Sequence, residues 1–250
     1  MKIRLDKVAK GPRDAALPPT TVEFSSGEVT LARAETEQRP AVLGLIASGR
    51  MRPDSGSVTI DGATDYGAIR KRIALIDAPE VCEPAPNVTL AGVVAEELMF
   101  AGLASHPVAV NRMLDKLGFS NWARYSIATV PPLVRIGVLT ELAILRKGVD
   151  GVVLTSPDRH GGDPNDWWNL ARGLASRDLA VLVIAGDASA AAIAATAIVD
   201  RLHTTPESTA EGPEVAVPPD DKFESDTPGD VPIPTGPIPD DDEATSKDEV

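Results

Sequence analysis

RPDSGSVTIDG, residues 52–62, gives the strongest indication of the fold. Pro53 and Gly56 are turn residues, and the alternating segment after them is typical of a half-buried strand. A second segment, SGEVTL at residues 26–31, again places a glycine turn before a strand. Around both segments, short apolar runs rich in Val, Ile and Leu alternate with helical stretches, so the chain is predicted to form an α/β domain.

The alternation of elements continues through residues 1–205, which we assign to one domain. Strands are predicted at residues 3–8, 21–24, 29–33, 57–61, 72–77, 151–155 and 181–185, the last three in the core because they are continuously apolar. Helices are predicted at residues 40–49, 89–103, 108–117, 133–147, 164–176 and 188–197. Residues 89–147 contain no strand signal, which predicts a helical subdomain inserted into the α/β core.

Residues 206–250 differ from the rest of the chain in composition. They hold 9 of the 22 prolines and 14 acidic residues against 2 basic ones, a net charge of −12 out of −13 for the whole chain. Such a segment buries too little apolar surface to offset its ordering entropy, so we predict a disordered, Pro-rich acidic tail. We interpret the tail either as a solubilising segment or as a flexible arm for a basic partner surface.

Composition excludes several kinds of site. A single cysteine, Cys82, forms no internal disulfide, and the three histidines lack metal-ligand spacing, so we expect no bound metal. The body carries a charge of about −1 (−13 minus −12) without a basic stripe, which disfavours nucleic-acid binding. Apolar runs stay below 18 residues and the N-terminal residues do not resemble a signal peptide, so we expect a cytoplasmic protein without direct membrane insertion.

Residues 26–31 and 52–62, together with the order and spacing of the surrounding elements, resemble the ATP-binding cassette family of ABC transporter-type ATPases. In that family a similar strand enters the phosphate loop, and a similar turn leaves the helix that follows the loop. The resemblance extends to about Leu202, or about four fifths of the chain. It implies a P-loop NTPase core with the helical subdomain at about 89–147.

The resemblance places the phosphate loop at residues 34–42, AETEQRPAV. In the family this loop is rich in glycine and ends in Lys and Ser or Thr, which hold the phosphates and magnesium. The corresponding residues here are Ala34, Glu35, Glu37, Arg39 and Pro40, with neither a glycine nor the lysine. Two glutamates near the phosphate oxygens would repel a triphosphate, so we interpret the loop as degenerate.

Other functional positions of the family are also replaced. The signature loop matches Pro131 and Pro132, which remove backbone donors. The acidic Walker B pair matches Thr155 and Ser156, which supply neither a metal ligand nor a general base. The switch histidine matches Gly186. The resemblance therefore implies a cassette that keeps its turn residues without its nucleotide-handling residues, and we expect no bound cofactor.

The acidic residues of this region allow different interpretations. Glu35 and Glu37 belong either to a solvated loop or to a loop whose carboxylate takes the anion position at the start of the helix at 40–49. Asp77 and Asp187 follow predicted strands near the same region. We interpret both as capping or solvated carboxylates rather than as metal ligands.

Two apolar segments are candidate contact surfaces. In the family, the segment corresponding to residues 79–103 receives the coupling helix of a membrane subunit, so its apolar residues either bind a partner or pack the helical subdomain. Adjacent tryptophans near the start of a predicted helix cannot face the same core, so we predict one packed and one partly exposed. The candidate interface residues are Val93, Val94, Leu98, Met99, Phe100, Trp167 and Trp168.

The sequence therefore predicts a non-hydrolysing ABC-ATPase-like protein, without catalytic residues, that binds or regulates a protein partner. The resemblance implies a transmembrane subunit or a second cassette protein as that partner, and a position at the inner face of the membrane through it. The alternative is an atypical ABC transporter ATPase that still binds ATP, alone or in a heterodimer. A third interpretation is an unrelated α/β enzyme with an accidental likeness to the cassettes, which the sheet order tests.

Overall fold

The computed structural model describes residues 1–35 and 38–204. These residues belong to a compact unit, Met1–Pro206. Thr36 and Glu37 of the predicted phosphate loop lie outside the described residues, as do the predicted domain end at 205 and the predicted disordered tail at 206–250.

The described strands form an antiparallel sheet and a parallel sheet. The antiparallel strands are β1 (Lys2–Lys10), β2 (Leu17–Ser25) and β4 (Ser55–Ile60), and their order is β2-β1-β4. The parallel strands are β3 (Val29–Arg33), β5 (Ile73–Ile76), β6 (Gly151–Thr155) and β7 (Ala180–Ala185), in the order β3-β7-β6-β5. Each predicted strand is present, and β1 and β2 are longer at both ends than predicted.

The helices of the described residues lie between and after these strands. Their bounds are α1 (Gln38–Ala47), α2 (Tyr66–Arg72), α3 (Leu90–Phe100), α4 (Pro107–Leu117), α5 (Pro132–Ala143), α6 (Pro164–Ala175) and α7 (Asp187–Thr204). Each predicted helix is present. None of the helices in the described part of the chain combines the length and the apolarity that crossing a membrane requires.

Helix α2 is a difference from the prediction. It spans seven residues, and Ile69 is its buried residue, so its apolar periodicity is too short to recognise. The signal that could have revealed it is Asp65, whose side chain accepts a hydrogen bond from the N–H of Ala68 (2.9 Å) as an N-cap.

Strands β5, β6 and β7 of the parallel sheet are buried on both faces, which explains their almost continuously apolar sequences. On one face, residues such as Val152 and Val183 pack with helices α3 to α6. On the other face, Val153 and Leu182 pack with α1 and with the antiparallel sheet. The carboxyl ends of the four strands meet at one edge, where Ala34, Asp77, Ser156 and Gly186 follow them.

Residues 89–147 form the predicted helical subdomain of α3, α4 and α5. Thr89 caps α3 through a hydrogen bond from the N–H of Gly92 (3.2 Å), and Gly118 ends α4 in the left-handed conformation. Within this segment, Thr89 and Ser126 form an isolated β-bridge. The buried faces of these helices join the core that covers the parallel sheet.

Candidate functional site

Glu35 of the predicted phosphate loop turns its carboxylate toward helix α7. It accepts a hydrogen bond from the backbone N–H of Asp187, the first residue of that helix. The first N–H groups of a helix lack partners within the helix and attract anions. Glu35 is exposed, as in the solvated-loop alternative, and the hydrogen bond of its carboxylate goes to the start of α7.

The rest of the predicted phosphate loop joins β3 to α1. The N–H of Ala34 donates to the carbonyl oxygen of Ala185 (3.0 Å), which extends the pairing of β3 with β7. Arg39 and Pro40 lie in the first turn of α1, and Pro40 is buried. The first turn tolerates proline because its N–H groups have no helical partner, as expected from the sequence. Glu37 lies outside the described residues.

Asp158 supplies a second carboxylate to the start of α7. Its Oδ2 accepts hydrogen bonds from the N–H of Gly186 (2.8 Å) and from the hydroxyl of Ser189 (3.3 Å). A Cβ at position 186 would lie 3.2 Å from Asp158 Oδ2 and 3.4 Å from Glu35 Oε1. Glycine at the switch position therefore permits both carboxylates to approach the same helix end.

Thr155, at the predicted Walker B position, ends strand β6, and Ser156 of the same predicted pair follows it. Thr155 is fully buried, and its Oγ1 has no hydrogen-bond partner among the described residues. A Cβ at Gly44 of α1 would lie 2.8 Å from this oxygen, so the helix packs directly on it. Ser156 adopts the left-handed conformation (φ 49°), and its N–H donates to Ile184 O (2.8 Å). Both residues serve packing and chain direction here.

A small cleft of about 340 Å³ remains beside the predicted phosphate loop. Its carboxylates belong to Glu35 and Asp187, and Arg33 Nη1 lies 3.5 Å from Asp187 Oδ1 in an exposed ion pair. The lining residues are Leu17, Pro18, Thr20, Arg33, Ala34, Glu35, Leu43 and Asp187. A phosphate 4 Å from either carboxylate would meet a repulsion of about 4 kcal/mol at an effective dielectric constant of 20.

Helix α5 starts at the predicted signature position. Pro131 is its N-cap and Pro132 its first residue, so neither contributes an N–H to this helix end. The first helical hydrogen bond runs from the N–H of Arg135 to Pro131 O (3.1 Å). The helix therefore begins with fewer backbone donors than one that starts with serine and glycine.

A buried ion pair joins Asp77, which follows β5, to Arg135 of α5. Asp77 Oδ2 lies 2.9 Å from Arg135 Nε, and Asp77 Oδ1 lies 2.7 Å from Arg135 Nη2, a bidentate geometry. The two side chains are 1% and 6% exposed. Arg135 Nη1 also donates to Ile127 O (3.2 Å). The pair fixes the helical subdomain to the end of the parallel sheet.

Two residues of the turn after β6 complete this cluster. Arg159 Nη2 lies 3.0 Å from Asp77 Oδ1 and 2.9 Å from Glu83 Oε2, and His160 Nε2 lies 2.8 Å from Asp77 Oδ2. Burial by itself would raise the pKa of Asp77, but the hydrogen bonds from Arg135 and His160 and the charges of the arginines hold that pKa well below its usual value. Asp77 is therefore a carboxylate at neutral pH.

The prediction that Asp77 is a capping or solvated carboxylate is wrong, because its side chain is buried in this cluster. Its partners lie 58, 82 and 83 residues further along the chain, a separation that local spacing cannot detect. Asp187 is exposed, as expected. Within residues 1–35 and 38–204, no three His, Cys, Asp or Glu side chains are grouped to hold a metal ion.

A larger cleft of about 650 Å³ lies between the end of β5 and the helices α3 and α5. The lining residues are Arg50, Leu75, Ile76, Asp77, Val81, Cys82, Glu83, Pro84, Val93, Glu96, Glu97, Phe100, Leu139, Ala143 and Arg146. Arg146 Nη2 lies 2.6 Å from Glu97 Oε2, and its guanidinium covers the ring of Phe100 at 5.6 Å from the centroid. The cleft thus has an apolar interior and a charged rim.

The structure separates the candidate interface residues of α3 into two groups. Val93, Val94 and Leu98 are buried in the core, so their assignment to an exposed interface is wrong, although Val93 contributes to the cleft wall. Together with Leu90 they form one buried face of the helix, at positions i, i+3, i+4 and i+8. Met99 and Phe100 are each 58% exposed and remain candidates.

The adjacent tryptophans of α6 differ in burial, as predicted. Trp167 is buried in the core, and its Nε1 has no hydrogen-bond partner among the described residues. This burial contradicts its use as an interface residue. Trp168 is half-buried and lines a surface pocket with Val29 and Arg172. Of the two, Trp168 therefore stays a candidate contact residue.

Solved structures with a similar fold are ATP-binding cassettes. One is cbiO1 from Clostridium perfringens, part of the ABC transporter complex cbiONQ, with 15% identity, a TM-score of 0.52, and coverage of 74% of this chain and 77% of that chain. A protein of Pyrococcus furiosus assigned as an ABC transporter ATP-binding protein has 13% identity, a TM-score of 0.55, and coverage of 75% and 92%. An ATP-binding subunit of an ABC transporter has 16% identity, a TM-score of 0.53, and coverage of 76% and 82%.

No protein-family model and no curated protein matches the sequence. The similarity to solved cassettes is therefore carried by the arrangement of strands and helices. The chain has the α/β fold of the ATP-binding cassettes of ABC transporters, as predicted.

Proposed function

We propose that this cassette-fold chain is a non-hydrolysing protein that acts as a binding or regulatory subunit for a protein partner. The observation that carries the proposal is the carboxylate of Glu35, which bonds the N–H of Asp187 from within the predicted phosphate loop. Glutamate in that place repels the anion that a phosphate loop attracts. The start of α7 also receives Asp158, so the chain satisfies this helix end with its own anions.

The remaining positions supply no chemistry for hydrolysis. Phosphoryl transfer needs a metal ligand, a group that orients the attacking water, and cations at the phosphates. Thr155 is sealed against Gly44, Ser156 turns the chain, and Gly186 has no side chain. Without the metal ligand and the group that orients water at these positions, several other groups would have to stabilise the transition state. The chain is therefore proposed to act through its surface.

The proposed partner is a membrane component, and the proposed contact is the cleft between β5, α3 and α5. Cassettes of similar fold include one that is part of a transporter complex and one that is an ATP-binding subunit of a transporter. The cleft offers an apolar interior with Phe100 and Val81 exposed at its rim. A short amphipathic helix of a transmembrane subunit fits such a groove. This places the chain at the cytoplasmic face of the membrane.

The first test is nucleotide handling by the full-length protein. Isothermal titration with millimolar ATP, with and without Mg²⁺, should give no Mg²⁺-dependent binding, and phosphate release should equal that of buffer. The cluster at Asp77 and the carboxylates at α7 should hold the fold without nucleotide, so adding Mg²⁺ to the ATP should not raise the melting temperature further. Mg²⁺-dependent binding at micromolar affinity would overturn the proposal.

The second test concerns the cleft. Membrane proteins that co-purify with the wild-type chain should be lost with Phe100→Asp, because a charge at the rim opposes burial of an apolar helix. Val108→Asp is the matched control, since Val108 is 61% exposed on α4, away from the cleft. Equal loss in both variants would contradict docking at this cleft.

The alternative is an atypical ABC transporter ATPase that binds ATP alone or in a heterodimer. The observations in its favour are the fold itself and the 340 Å³ cleft that stays open beside Glu35. This alternative predicts that Glu35→Gln strengthens ATP binding by removing a negative charge. The favoured proposal predicts no Mg²⁺-dependent binding in either protein.

A further inference from the structure

Three arginines, Arg50, Arg52 and Arg70, line a surface pocket. It has a volume of about 430 Å³ and lies between the end of α1 and helix α2. The carboxylate in its lining is Asp65, and Asp65 Oδ1 is already engaged with the N–H of Ala68 as the cap of α2. The lining therefore has an excess of positive charge.

The neighbouring Arg72 shows how the chain neutralises an arginine elsewhere in this region. Arg72 Nε lies 2.7 Å from Asp150 Oδ2, and its Nη1 lies 3.4 Å from Asp61 Oδ2. In the part of the chain that the structure describes, the three arginines of the pocket take part in no such ion pair. The chain thus pairs Arg72 and leaves the pocket arginines open to an external anion.

Two of the pocket arginines are held in place by contacts that leave other donors free. Arg50 Nη1 donates to Ser48 O (3.1 Å) and Ile73 O (3.0 Å), and Arg52 lies over the ring of Tyr66 at 5.4 Å from the centroid. Each guanidinium has five N–H donors, so most remain available. Burial lowers the pKa of Arg50, and the charges of Arg146, outside the pocket, and of Arg70, within it, lower it further. A bound anion would relieve this repulsion.

We propose that this pocket binds an anion that carries a phosphate group. Arg52 and Arg70 would bond the phosphate oxygens through paired N–H donors, and Arg50 would add a third positive charge. A phosphate carries more charge and more acceptor oxygens than a carboxylate, which matches three guanidinium groups. Thr64 and Tyr66 add hydroxyl groups to the lining. The proposal goes beyond the proposed function and does not depend on it.

The test uses full-length protein and the double variant Arg52→Gln/Arg70→Gln. Pyrophosphate, as the soluble probe, is titrated by calorimetry, and flotation with phosphatidylcholine vesicles with or without phosphatidylglycerol probes a lipid headgroup. We expect at least one phosphate probe to bind, about tenfold more weakly to the double variant, since each charge-assisted hydrogen bond to phosphate contributes strongly. Thermal denaturation verifies that both proteins are folded.

The matched control is Lys116→Gln/Arg124→Gln, which removes two exposed charges from the helical subdomain. It should bind like the wild type within about twofold, because screening weakens distant charges at physiological salt. Binding of pyrophosphate alone identifies a soluble phosphate compound as the ligand. Binding of phosphatidylglycerol vesicles identifies a headgroup, and either result supports the pocket.

The proposal would be overturned if neither probe bound, or if the wild type and the pocket variant bound equally well. It would also be overturned if the control variant weakened binding as much as the pocket variant. This experiment is also distinct from the nucleotide test. ATP binding that needs no Mg²⁺ and is lost in the pocket variant belongs to the arginine pocket. Mg²⁺-dependent ATP binding that persists in this variant counts against the proposed function and leaves the pocket untouched.

Discussion

Replacing Arg135 with methionine leaves the carboxylate of Asp77 buried without its bidentate partner. Breaking a buried pair from one side costs about 3–5 kcal/mol. Asp77 keeps its contacts to Arg159 (3.0 Å) and His160 (2.8 Å), so we expect the lower end, about 3 kcal/mol. For a domain of this size, each kcal/mol corresponds to about 2–4 °C, which predicts a melting temperature lower by about 6–12 °C.

The assay is urea unfolding of the full-length chain, followed by the fluorescence of the buried Trp167. Arg177→Met is the matched control, because Arg177 also forms a bidentate pair, through Nη1 and Nη2 with Glu141 at 3.0 and 2.8 Å, on an exposed surface. That change should cost less than about 1 kcal/mol. If Arg135→Met cost no more than the control, the cluster at Asp77 would not be what fixes the helical subdomain.

Three further outcomes follow from the same contacts. Hydrogen bonds and positive charges hold the pKa of Asp77 below its unfolded value of 3.8. The contribution of Asp77 to stability is therefore complete above that pH and is lost as the pH falls further. In acid titrations, Asp77→Asn should lose unfolding free energy less steeply than the wild type. Thr155→Val should leave stability within about 1 kcal/mol, since Thr155 Oγ1 has no described partner, whereas Thr155→Asp should cost several kcal/mol by burying an unpaired charge. Glu35→Ala should cost about 1 kcal/mol and accelerate amide hydrogen exchange at Asp187, with Glu28→Ala as an exposed control.

The fold was accessible from the sequence because its signals are local. The continuously apolar runs of β6 and β7 indicate burial on both faces, and the turn residues Pro53 and Gly56 mark where α1 gives way to β4. These features depend on a few consecutive residues. Helix α2 was not predicted because its seven residues complete too few turns for a periodic pattern.

The site was less accessible because its contacts join distant parts of the chain. Glu35 meets Asp187 across 152 residues, and Asp77 meets Arg135 across 58. Burial within a helix is also set by what packs against it. The apolar residues Val93 and Phe100 of α3 look alike in the sequence, yet one faces the core and the other faces solvent.

The missing side chain at Gly186 has a consequence for engineering this fold. A histidine introduced there would meet Asp158 at 3.2 Å and Glu35 at 3.4 Å with its first carbon alone. Both contact atoms are the ends of flexible side chains, so the two carboxylates that bond α7 would have to shift by a few tenths of an ångström. A designer who wanted a histidine at position 186 would therefore have to adjust the loop and the turn after β6 at the same time.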